Sequence, residues 1–284
     1  MMENPFNKLA ENLRKDNRKT SRDGTLRIAV ITPINRCGAS VVTTMLAQSA
    51  AITQEMKTVI TYTSPRRTLP TYLDVERQVE DKTRSISQVV KLLQADAIST
   101  DELDEYAVKL DDNCYMMDTV AESITREEAL MVQKYVFTHV KADMVLCDIS
   151  EAIDDPTAQE LIAVADAVCF VLNPDTTSID AFRIWKDSAF WPKDKDYFCV
   201  ISRYDDDIIG VRQFAKACGV PTKHMCKVHY NPFIVKACNE SFLKDIVPYA
   251  YEHKDKRVLQ LRSDIKELMS WCMTEGGYRL KWSK

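Results

Sequence analysis

The segment PINRCGAS (33–40) carries the first chemical signal in this chain of 284 residues. It lies between an apolar run, LRIAVIT (26–32), and a helix-like run, SVVTTMLAQSAAIT (40–53). Strand, short loop and helix in that order suit phosphate binding. Consecutive backbone N–H groups wrap the phosphates at the helix N-terminus, a lysine adds charge, and a Ser or Thr hydroxyl ligates Mg²⁺. Gly38 and Ser40 stand where such a loop needs them, but Pro33 and Ala39 occupy the places of its first glycine and its lysine. On this stretch alone, a plain strand-turn-helix remains the alternative.

Further candidates fall at the ends of other apolar runs. ADMVLCDIS (142–150) places Asp148 at a strand terminus, where a carboxylate could hold Mg²⁺ through water. DAVCFVLNPD (166–175) and DYFCVISRYD (196–205) place Asn173 to Asp175 and Ser202 to Tyr204 similarly. Cys37 lies near a helix N-terminus, which favours thiolates, although an ordinary loop thiol explains it as well. Arg66 and Arg67, in SPRRTLPTY (64–72), fit either a phosphate or partner contact or a solvated loop.

These positions need a scaffold, and the chain supplies strand-helix alternation from about residue 25 onward. The strands KTVITYT (57–63) and NCYMMD (113–118) join those above, with TKHMCKVHY (222–230) as a last edge strand. Helices are expected in SISQVVKLLQA (85–95), DELDEYAVKL (101–110), TREEALMVQKYVFTHVK (125–141), DPTAQELIAVA (155–165), SIDAFRIWKDSAFW (178–191) and GVRQFAKACG (210–219), then on to about residue 273. Strands apolar throughout are buried on both faces. The expected fold is therefore α/β: a three-layer, doubly wound, mostly parallel sheet with helices on both faces. Ligands bind such sheets at the carboxyl ends of the strands, where the candidates fall. The expected organisation is a polar arm (1–24), a main domain (25–257), and a C-terminal helix with a basic-aromatic tail (258–284).

Composition sets bounds. A formal net charge of −4 with 45% hydrophobic residues describes a globular chain and gives poor support to a nucleic-acid partner. No apolar run approaches the about 20 residues that span a bilayer, and the polar N-terminus lacks a secretory signal's apolar core. The nine cysteines include no CxxC pair. An odd count in apolar runs favours reduced thiols and a cytoplasmic setting. Cys218, His224, Cys226 and His229 match no usual zinc spacing and read as core and loop residues.

Taken in order, the motifs resemble those of the MinD/ParA branch of P-loop NTPases, with its deviant Walker A loop K-G-G-x-G-K-[ST]. PINRCGASVVTTMLA is similar to that loop and its helix, and ADMVLCDIS to the Walker B strand. ADAVCFVLNPDTTSIDAFRIW, YFCVISRYD and VHYNPFIVKACNES are similar to three later segments, so the resemblance spans about residues 25–250. It implies ATP or ADP held by Asn35, Arg36, Cys37, Gly38, Ala39, Ser40 and Val41, with Ser202, Arg203 and Pro232 at the base, and Mg²⁺ at Ser40 and Asp148. It also implies a homodimer, with protein partners in a membrane-associated assembly. Departures accompany the match. Ile34 and Ala39 replace the two lysines, Asn35 and Arg36 the two loop glycines, and Tyr62 the acid after the second strand. A Gly-Ala-Ser loop ending is also found in the TadZ/CpaE branch of localisation factors, although that branch's receiver-like N-terminal domain is absent here. The expectation is a dimerising scaffold or localisation factor for a secretion, pilus or conjugation machine, with weak or absent ATP hydrolysis and a cytoplasmic or peripheral membrane location. The alternatives are a slow Mg-ATPase with Arg36 supplying charge, and a DNA-partitioning ATPase.

Overall fold

The computed structural model describes residues 24–66, 68–75, 86–95, 97–98, 106–118 and 124–275. The polar arm before Gly24, Arg67, residues 101–105 and the tail after residue 275 lie outside the described residues.

An eight-stranded sheet organises the chain in the order β3-β4-β2-β5-β1-β6-β7-β8. Its strands are β1 (Leu26–Ile31), β2 (Thr58–Tyr62), β3 (Val108–Asp111), β4 (Cys114–Met116), β5 (Met144–Ile149), β6 (Ala167–Leu172), β7 (Asp196–Tyr204) and β8 (Met225–His229). All neighbours pair in parallel except β3 with β4. β1, β2, β5 and β6 are buried at every position, as their unbroken β-branched and apolar runs require.

Alternate side chains of β1 serve two cores. Ile28 and Val30 join a layer with helix α1 (Ala39–Gln54), while Ala29 and Ile31 join the opposite layer. In chain order, the short α2 (Thr68–Tyr72) and α3 (Ile86–Gln94) follow β2. The other helices are α4 (Arg126–His139), α5 (Pro156–Val164), α6 (Thr176–Asp187), α7 (Val211–Cys218), α8 (Pro232–Asn239), α9 (Ile246–Glu252) and α10 (Lys256–Glu275). Thr125 and Glu128 form a reciprocal capping box that starts α4. Asp155, Asp175 and Asn231 cap α5, α6 and α8, and left-handed Gly219 closes α7. The two-faced doubly wound sheet expected from the sequence is present.

Two local expectations need correction. The helix expected over 101–110 is contradicted within its described part, where Val108–Asp111 forms β3 as one arm of a hairpin with β4. The Thr58 amide donates to the Asn113 carbonyl in the turn of that hairpin. A helix here would leave the β4 edge unpaired. The second correction is α2, an unanticipated helix in which Leu69 and Pro70 are buried.

Candidate functional site

The loop leaves the buried end of β1 and enters α1 through backbone that few residue types tolerate. Arg36 has φ 69° and Gly38 has φ 91°, both left-handed. Gly38 is the N-cap of α1, and no side chain caps this helix. The Val42 amide closes the first helical bond onto the Gly38 carbonyl at 3.0 Å. Among the described residues, no N–H group of residues 35–41 donates to a protein acceptor. A concave run of unspent amides at a helix start is an anion nest.

Side chains below the loop fix its shape. Ser202, at the end of β7, donates its hydroxyl to the Cys37 carbonyl and lies 3.1 Å from Asn173 Oδ1. A Cβ on Gly38 would sit 3.5 Å from that hydroxyl, so space allows a side chain and only the dihedral demands glycine. Cys37 is fully buried, with its sulfur 3.9 Å from the Ser178 hydroxyl, which also accepts the Asn173 amide at 3.0 Å.

Two arginines approach from different elements. The register of β7 against β8 shifts between Ile201 and Tyr204, where Arg203 turns left-handed at φ 51°. This bulge leaves Ser202 and Tyr204 buried and Arg203 exposed. Arg36 and Arg203 both act on the half-buried Tyr72 of α2. Burial raises the Tyr72 phenol above its ordinary pKa, and the Cys238 thiol adds to this, while both arginines oppose it. Neither guanidinium has an ion-pair partner among the described residues.

On the other side, the Ser40 hydroxyl donates to Asp148 Oδ2 at 2.6 Å. Register places Asp148 between Val30 of β1 and Tyr62 of β2, at the centre of the sheet. Burial pushes its carboxyl up to about 6 from 3.8; the Ser40 hydrogen bond opposes this, and the nearby Glu151 charge adds to it. Glu151 accepts from the Thr63 hydroxyl and meets Arg126 at the start of α4 at 3.4 Å, its own side chain only 6% exposed. Sequence reasoning did not single out Glu151, although an acid three residues beyond Asp148 was a readable signal.

The sequence candidates occupy the following places. Asn35, Arg36, Cys37, Gly38, Ala39, Ser40 and Val41 form the nest, with Asp148 beneath Ser40 and Ser202 and Arg203 at its side. Pro232 is exposed in the first turn of α8, where it lines a separate pocket with Asn231 and Phe233. Chemically, the pair of hard oxygen donors at Ser40 and Asp148 fits Mg²⁺, and the nest fits phosphate. The two lysine positions do not supply charge: Ile34 packs against the core and Ala39 is 7% exposed. Among the described residues, no group of three or more His, Cys, Asp or Glu could hold a metal. Within the same limits, no helix is long and apolar enough to cross a membrane.

A nest joining a central parallel strand to a helix, with a hydroxyl over a buried acid, defines a P-loop NTPase-like α/β fold. Within that class the architecture is that of the MinD and ParA ATPases. The chain superposes on a chain of the Aquifex aeolicus MinC:MinD cell division protein complex with a TM-score of 0.62 at 15% identity, covering 90% of this chain and 98% of that one. A ParA family ATPase from Chlorobium tepidum gives 0.63 at 14% identity, covering 88% and 98%. The septum site-determining protein MinD from Pyrococcus horikoshii, complexed with Mg-ADP, gives 0.61 at 14% identity, covering 88% and 95%. At these identities the likeness is one of fold. No family model and no curated protein matches the sequence.

Proposed function

We propose that this chain is a degenerate member of the MinD/ParA group. On this reading it binds ATP or ADP through the backbone nest, with Ser40 and Asp148 holding Mg²⁺, and hydrolyses it weakly or not at all. One observation carries the reading. The amides of residues 35–41 are unspent and Ser40 sits on Asp148, yet both lysine positions are apolar. Phosphoryl transfer depends on positioning and charge stabilisation. The nest offers the first without the usual cations for the second. A protein that binds without turnover works as a scaffold. We assign it the role of a dimerising localisation factor, like the TadZ/CpaE proteins, for a secretion, pilus or conjugation assembly at the inner face of a membrane.

Arg36 and Arg203, without an ion-pair partner among the described residues, support a second reading, a slow genuine Mg-ATPase. Both guanidiniums act on Tyr72, one from the nest itself and one from the residue after Ser202, and either could neutralise charge on a phosphate.

Calorimetric titration with Mg-ATP, paired with a phosphate-release assay, separates the two. The scaffold reading expects binding without release above background. Ala39→Lys should strengthen binding by about tenfold, the worth of one charge-assisted hydrogen bond. Steady phosphate release by the unaltered chain, lost in Arg36→Ala, establishes the ATPase reading instead. Absence of ATP binding in both forms overturns the nucleotide assignment.

A further inference from the structure

A pocket of about 310 Å³ opens between α8, α9 and α10, and no residue of the phosphate nest lines it. That volume is at the small end of ligand sites. Its inner wall is apolar and stiff. Phe233 and Tyr249 stack with ring centroids 3.9 Å apart at 17°, and buried Val258 and Leu261 continue the surface. Asn231 ties the walls together: its amide donates to the Arg257 carbonyl at 3.2 Å, and its oxygen accepts the Phe233 amide at 2.9 Å. The starts of α8 and α10 are thereby held in one geometry.

The rim is unbalanced in charge. Asp255 spends one carboxylate oxygen on capping α10, accepting the Arg257 and Val258 amides at 3.0 and 3.2 Å. Arg257 has no ion-pair partner among the described residues. Among the described residues, Lys236 reaches only Glu240, at 3.9 Å with both side chains more than half exposed, and such a pair contributes little. Arg257 and a Lys236 held only loosely by Glu240 therefore border the aromatic wall beside the single Asp255 carboxylate, two cations to one lining anion among the described residues. Both helix starts are already capped by their own side chains, so the cations, not the helix ends, select the charge.

We infer that this pocket binds a small aromatic carboxylate, with the ring against Phe233, Tyr249 and Leu261 and the carboxylate between Arg257 and Lys236. An arginine fork suits a carboxylate bidentately, and an ammonium adds a point charge. The inference makes no use of the phosphate nest and stands whether or not the chain binds nucleotide.

The test uses the full chain and 1-naphthoate as the probe, followed by calorimetry and by saturation-transfer NMR, with 1-naphthalenemethanol as its neutral counterpart. Naphthoate should bind and the alcohol should bind at least about tenfold more weakly, the worth of the lost charged contacts. The exposed double variant Lys236→Ala, Arg257→Ala should lose affinity by a similar factor. A charge-matched control elsewhere, Arg212→Ala with Lys216→Ala on α7, should keep it. Three results overturn the assignment: no naphthoate binding, equal binding of the alcohol, or equal losses in both double variants. Circular dichroism of each variant separates lost binding from lost folding.

Discussion

Asp148→Asn tests the electrostatics of the site most directly. In the folded chain the Asp148 side chain is buried in the sheet, and burial pushes its carboxyl from 3.8 up to about 6. The folded state therefore holds this proton more tightly than the unfolded state does. The stability contributed by the protonated group is full below pH 3.8 and is lost as pH rises through about 6. At about 1.36 kcal/mol per pKa unit, the span between those values amounts to about 3 kcal/mol. Above pH 6 the fold carries that much as the cost of a buried charge, relieved in part by the Ser40 hydroxyl. Asparagine keeps an oxygen for that hydroxyl and removes the charge. The variant should then be more stable than the unaltered chain by about 3 kcal/mol near pH 7.5 and by less than about 1 kcal/mol near pH 4. Urea unfolding at the two pH values measures both differences. Saturating Mg²⁺ should narrow the gap at pH 7.5 by stabilising the unaltered chain alone, because the ion supplies the countercharge that burial withholds. A variant less stable at pH 7.5, or a difference independent of pH, refutes the reasoning; the first means that Asp148 is charged and well paired, and the second that asparagine acts through packing.

Two further outcomes follow from the loop and the thiols. Gly38→Ala should lower stability by about 1–2 kcal/mol, the left-handed cost for a residue with a Cβ, because the added methyl meets only ordinary contacts at Ser202. Gly38→Asn, which tolerates that region better, should lose less in the same urea experiment, and equal losses would place the cost in contact instead of dihedral. All nine cysteines are free and only Cys238 is not buried, its thiol pushed up to about 11 by burial despite the opposing Arg203 charge. A disulfide reagent near pH 8 should modify at most one thiol in the folded chain, slowly, and all nine after unfolding; rapid native labelling of several thiols would show that the buried cluster opens.

Much of this fold was legible because its strands are buried on both faces and so spell unbroken apolar runs. Asp155 and Gly219 bounded the helices expected over 155–165 and 210–219, whereas the caps at Asp175 and Asn231 were not read from sequence. The misread segment, Val108–Asp111, is an antiparallel edge arm whose residues are exposed or half-buried, so no core imposed a period-two pattern on it. At five residues, α2 is too short for a helical period to register. The nest was readable from Gly38 and Ser40, and Asp148 from its strand end. The left-handed turns at Arg36 and Arg203 were not, since neither residue type announces that conformation. Glu151 was overlooked because its role depends on Thr63 and Arg126, which are distant in sequence.

The residues at the missing catalytic positions bear on whether the proposed loss of hydrolysis is reversible. Ala39 is small and opens α1 directly beside the nest, with 7% of its surface exposed, so a lysine there loses only a methyl's worth of core contact. Ile34 differs, because its side chain packs against the α1 core layer, and a lysine there trades that contact for a charge beside apolar residues. Tyr62 differs further. It is 3% exposed and donates its hydroxyl to Asp118 at 2.6 Å. Replacing it by an acid would remove that donor, put a second carboxylate near Asp118, and leave a ring-sized void worth several kcal/mol, about 3–5 for an aromatic cut to alanine. All three substituted positions now take part in the packing of the α1 layer, Ile34 and Tyr62 with far larger side chains than Ala39. On the proposed reading, Ala39→Lys should recover binding strength alone, because the remaining agents of hydrolysis have been exchanged for core contacts that one substitution does not undo.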